Sequence, residues 1–159
     1  MPTRTRTADW LDQASAGIDL RQKLPESRAD TIARRAEWLD DPERTLLLTM
    51  FRDGRPATEI ARLTGDDARR VRRRVRRAVT RALDPALPLV VTNASSWSAT
   101  RRRVAHALYR SGLSIRQTAR RLDLTIHEVR RHRDAIRERV DASTPDRVSD
   151  RSPDRTWRS

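Results

Sequence analysis

The residue that could do chemistry in this chain is arginine. Of 35 basic residues 34 are arginine, Lys23 being the one lysine. Residues 69–81 read RRVRRRVRRAVTR, with no acid among them. Arginine carries a planar fork of donors that can bridge guanine O6 and N7 or hold phosphate oxygens. Like charges three and four apart on a helix repel by roughly a few tenths of a kcal/mol per pair. A polyanion removes that cost, so the run reads as a face turned to nucleic acid rather than a self-neutralised surface. The 125–140 stretch has the same arginine habit, but Glu128, Asp134 and Glu138 balance part of it.

Other chemistries find little support. The chain has no cysteine, which excludes disulfides, thiol catalysis and cysteine-held zinc. His106, His127 and His132 have no carboxylates near them at metal-binding spacing, and His132 falls on an inner stripe as a partly buried packing residue. Asp66 and Asp67 read as helix caps rather than paired acids. Tyr109 sits on an apolar stripe. His132-Arg133-Asp134 matches a kinase triplet without any other kinase element. Trp10, Trp38, Trp97 and Trp157 are too scattered to form a stacking platform. No catalytic residue, cofactor or metal is expected, and the chain reads as a non-enzyme.

The 159 residues carry a net charge of +13, with 36% apolar and 4% aromatic residues. That composition disfavours one large core and suits several small helical units. The charge is uneven. Residues 42–83 and 99–141 each carry 12 bases and 5 acids, whereas 84–98 hold only Asp84. Laying 44–82 on 102–140, an offset of 58, gives nine identities in 39 positions, including Gly54/Gly112, Ala61/Ala119 and Val71/Val129. The expected organisation is an N-terminal helical segment (1–41), two repeated units (42–83 and 99–141), a short linker (84–98) and a disordered tail (142–159). The longest apolar stretch, Leu87–Val91, is far short of the ~20 residues a membrane span needs. No signal peptide is read, and the expected location is cytoplasmic, at the nucleoid.

Punctuation sets the elements that must position the arginines. Residues 8–23 and 28–40 read as two helices. Asp41-Pro42 reads as an N-cap followed by a first-turn proline, with Gly54 closing that helix. A short helix over 57–63 meets a turn at Thr64-Gly65, and Asp66 or Asp67 caps a long helix to about Leu83. Its stripe is Ala68, Val71, Val75, Ala78 and Ala82. In the second unit Ser98 caps a helix closed by Gly112. Ser114…Gln117 and Thr125…Glu128 are capping boxes opening a short and a long helix.

Short helix, tight turn and longer helix make a helix-turn-helix in each unit. A small residue, Ala61 or Ala119, lets the second helix cross closely. A branched one ten positions on, Val71 or Val129, fills the angle. The stretch Gly112–Thr125 with Val129, Arg130, Arg131, His132 and Ile136 resembles the LuxR-type DNA-binding domain. Glu59-Ile60-Ala61, Gly65, Val71, Arg74 and Val75 resemble the fourth region of bacterial sigma factors. Both resemblances imply an all-α fold and major-groove binding. Three departures stand out: Asp123 where glycine is usual, Thr118 where an aliphatic residue is usual, and Thr64 and Asp66 at usually apolar places. The last pair implies a distorted turn in the first unit.

With Val71 inward, Arg69, Arg72, Arg73 and Arg76 are expected to face the groove. With Val129 inward, His127, Arg130, Arg131 and Asp134 are. Arg70, Arg74, Arg77, Arg101, Arg102 and Arg103 are expected to meet phosphates. The expected function is a sequence-specific transcriptional regulator that places two recognition helices (about 67–83 and 126–140) in successive major grooves of double-stranded DNA. Two alternatives come from the same residues. One is a DNA-docking accessory subunit of a mobile-element or phage machine, such as a recombination factor or small terminase-like subunit. The other is non-specific nucleoid or RNA binding. Residues 1–41 suit a protein partner such as RNA polymerase or a homodimer contact, and equally suit packing within the chain.

Overall fold

The structure, a computed structural model, describes residues 26–143, with side chains from 28 onward. It is all-helical. Eight α-helices are present among the described residues: α1 (Glu26–Ala36), α2 (Glu43–Leu47), α3 (Ala57–Thr64), α4 (Ala68–Ala82), α5 (Ala86–Asn93), α6 (Ala99–Ala105), α7 (Ile115–Leu122) and α8 (Ile126–Ala142). The expected helix over 8–23 and the tail beyond Ser143 with Trp157 lie outside the described residues.

The repeat is structural as well as sequential. α2 runs on into a π-helical turn at Leu48–Arg52, and α6 into one at His106–Arg110, which is 58 residues later at both ends. α3 and α7 keep the same offset at both bounds. The hydrogen bonds repeat too. Asp53 N–H donates to Leu48 O and Ser111 N–H to His106 O, both at 3.0 Å; Asp66 N–H donates to Ala61 O at 3.0 Å and Leu124 N–H to Ala119 O at 2.9 Å. Gly54 and Gly112 both take positive φ, 74° and 68°, which glycine adopts without steric cost.

Most of the caps fall where the sequence places them. Ser114 and Thr125 each complete a capping box, with Gln117 and Glu128, and Asp67 accepts from the N–H groups of Arg69 and Arg70. Asp41 behaves otherwise. Pro42 occupies the cap position of α2 with no side-chain cap. The Asp41 carboxylate is taken instead by the Thr45 hydroxyl and the Arg44 guanidinium, both at 2.6 Å.

The 84–98 linker packs on the core, as its Leu87, Leu89 and Val90 suggest, and it is helical. Residues 86–93 form α5, with Ala86, Leu87 and Val90 buried, and a 3₁₀ turn at Ala94–Ser96 leads to buried Trp97. Asp84 accepts the Ala86 N–H at 2.8 Å. Pro85 and Pro88 sit at the cap and in the first turn, where no intrahelical N–H bond is lost. α5 packs on the second unit's π turn and on α8.

One apolar core therefore runs through both units. It joins Ile32, Leu39, Leu47, Met50, Phe51 and the α4 valines to Leu87, Trp97, Ala105, Tyr109 and Ile136. A smaller cluster, Val104, Ala119 and Val129, closes the second helix-turn-helix beneath Leu108, Ile115, Leu122 and Leu124. Polar contacts tie the N-terminal segment to the second unit. Arg110 Nε donates to Trp38 O at 2.8 Å, Asp40 N–H to Arg110 O at 3.2 Å, and the Ser111 hydroxyl to Asp40 Oδ2 at 2.6 Å. His106 Nε2 lies 3.6 Å from the same carboxylate.

Candidate nucleic-acid interface

The inner halves of the two helix-turn-helix units match. Ala61 and Ala119 are each 5% exposed; Val71 and Val129 are 1% and 0% exposed. The distorted turn expected from Thr64 and Asp66 does not occur. Gly65 takes φ 70°, ψ 13° and Asp123, its counterpart, φ 54°, ψ 50°. Both are left-handed, a region that aspartate tolerates better than most residues. Asp66 instead turns its carboxylate to α4, where Arg74 Nη1 lies 3.2 Å and Arg70 Nη1 3.8 Å away. Its place and that of Thr64 correspond to Leu124 and Leu122, which cover the second unit's small core. At that place in the first unit an open hollow of about 360 Å³ lies between Leu46, Ile60, Leu63 and Val71.

α4 buries Val71, Val75, Ala78, Val79 and Ala82. Val79 lies about 80° round the helix from Val71 and widens the buried arc toward Arg72 and Arg76. Both of these are half-buried on a flank. The crown of the helix is Arg69, Arg73 and Arg77, all exposed, and among the described residues none of the three forms an ion pair. So of the four arginines expected to face the groove, Arg69 and Arg73 stand at the crown, and Arg77, expected at a phosphate, joins them. Arg70 and Arg74 are drawn back by Asp66. The acid-free run is thus partly neutralised from just outside it, by an acid four residues before Arg70 and eight before Arg74. Arg81, at the far end, pairs with Glu43 at 3.4 Å and is largely buried.

α8 is set differently. Only Val129 and Ile136 are fully buried, with His132 half-buried beside them. Burial holds the His132 imidazole below its ordinary pKa, and the nearby Arg101 and Arg131 add to this. His127, Arg130, Arg131 and Asp134 are exposed as expected. Asp134 is held by Arg133 at 2.8 Å. Hydrogen bonds from Thr125 keep the Glu128 carboxyl below the usual range, so this acid belongs to the cap and not to the outer face. Of the phosphate candidates in α6, Arg102 and Arg103 are exposed and Arg101 is half-buried. Arg102 and Arg103 line a hollow of about 330 Å³ with His106 and Arg121.

Two residues that the sequence reading did not single out stand at this surface. Arg121 joins the α6 arginines, and Ile126, 40% exposed, opens α8. Counting cations on α7 would have found the first. An apolar residue directly after a capping threonine would have found the second.

No group of three or more histidine, cysteine or acidic side chains arranged to hold a metal ion occurs among the described residues. No helix among them is long and apolar enough to cross a membrane. Comparisons with protein-family models, curated proteins and solved structures find no match for this chain.

Proposed function

We propose that this protein is a non-catalytic, sequence-specific binder of double-stranded DNA that acts as a transcriptional regulator at the nucleoid. One observation carries the reading. A helix-turn-helix is built twice at a constant offset, and each time it presents the outer face of a helix bearing exposed arginines, with Arg69, Arg73 and Arg77 lacking acid partners among the described residues. A major groove about 12 Å wide admits such a helix. The arginines supply phosphate neutralisation and forks for guanine, and the resemblance to LuxR-type domains and to sigma-factor region four points the same way. The shared core holds α4 and α8 at one relative angle, which favours one fixed footprint on the duplex. The test is binding of the full chain to labelled duplex with unlabelled competitors. Specific duplex should displace the label at far lower concentration than random duplex or single-stranded RNA. Equal displacement by all three would make it a non-specific polyanion binder.

A further inference from the structure

Given that reading, the two units are not equivalent partners of DNA. We infer that α8 reads the sequence, with Ile126 against a thymine methyl group, while α4 supplies affinity through phosphates. The crown of α4 offers only guanidinium donors. Phosphate oxygens compete for those forks at every base pair, and phosphate contacts fix register without reporting sequence.

The outer face of α8 is chemically mixed. His127, Arg130 and Arg131 are followed by Asp134, whose carboxylate is anchored by Arg133 at 2.8 Å. A carboxylate facing the duplex is repelled by phosphates and is accommodated where a cytosine or adenine amine meets it, so it penalises the wrong base.

Ile126 is the second observation. It is the first residue of α8, at the end that reaches base edges in helix-turn-helix docking. It is 40% exposed and belongs to neither apolar cluster. It lines an open hollow with Arg116, Arg120 and Asp123 between α7 and α8. Arginines on the α7 wall suit the phosphates beside a base whose methyl group Ile126 would cover. Apolar contact is the way a side chain recognises the thymine 5-methyl group. The equivalent residue in α4 is Ala68, which is partly buried against the core.

The experiment uses the full chain and a duplex selected from a random pool, with each thymine in turn replaced by deoxyuridine, which lacks only the methyl group. Wild type should lose about fourfold in affinity at one position, the equivalent of one buried methyl-sized group. Ile126→Ala should bind the thymine and deoxyuridine duplexes alike at that position. Its loss on the parent duplex should match the wild-type loss on the deoxyuridine duplex. Ala68→Gly in α4 should leave the deoxyuridine profile unchanged. A methyl-sensitive position that persists in Ile126→Ala, or no such position in wild type, would overturn the assignment of Ile126. If selection returns no preferred duplex, the reading of the protein as a sequence-specific binder fails with it. Specific binding without methyl sensitivity removes only the present inference.

Discussion

Replacing Arg69, Arg73 and Arg77 together by alanine removes the crown of α4 and little else. All three side chains are exposed and outside the core, so the fold should survive. Alanine is the best helix former and like-charge repulsion is relieved, so stability should hold or rise by a few tenths of a kcal/mol, roughly, per site. The effect on DNA is calculable. Each phosphate neutralised contributes about −0.9 to the slope of log K against log salt. Three lost contacts flatten that slope by about 2.7. Between 50 and 200 mM salt, wild type should therefore lose roughly 40-fold more affinity than the variant does. Fluorescence anisotropy across a potassium chloride series measures this directly. Arg34→Ala on α1, also exposed, serves as the control and should leave the slope unchanged. An unaltered slope in a folded triple variant would refute the placement of these arginines at phosphates.

Four further outcomes follow from the geometry. Thr118 is fully buried and its hydroxyl has no hydrogen-bond partner among the described residues, so Thr118→Val should stabilise the chain by about 1 kcal/mol in denaturant unfolding. Asp123 holds φ 54°; Asp123→Gly should add about 0.5–1 kcal/mol by relieving left-handed strain. A Cβ at Gly112 would overlap the Arg81 guanidinium, and φ there is positive, so Gly112→Ala should lower the melting temperature and disturb the Arg81–Glu43 pair. Burial holds His132 below its ordinary pKa, so the unfolded chain binds the proton more tightly. The stability that the neutral form contributes is present above about pH 6.5 and lost as pH falls through and below it; His132→Gln should flatten that part of a pH–stability curve.

Local features were legible in the sequence because local forces set them. Ser114…Gln117 and Thr125…Glu128 satisfy their own helix ends, Gly54 and Gly112 close theirs, and Ala61/Val71 with Ala119/Val129 mark the crossing of two helices ten residues apart. What the sequence hid depends on distant partners. α5 reads as a connector because Pro85 and Pro88 suggest a break. Its buried residues, Ala86, Leu87 and Val90, nevertheless share one face, and Val91, Thr92 and Asn93 are exposed. Asp66 lies just outside the acid-free run and pairs with Arg74 and, more loosely, with Arg70, which altered which arginines stand free. Val79 widened the buried arc of α4 and moved Arg72 and Arg76 to a flank. The clamp of Asp40 by Ser111, His106 and Arg110 spans about 70 residues, beyond the reach of any periodicity.

Selection of bound duplexes from a random pool, using the full chain at moderate salt, is the most direct test. With α8 reading bases and α4 holding phosphates at a fixed angle to it, selection should enrich one motif, and footprinting of the enriched duplex should show protection extending a constant distance to one side of it. A pool that stays as diverse as its input, or protection whose extent beyond the motif varies freely, would contradict the account.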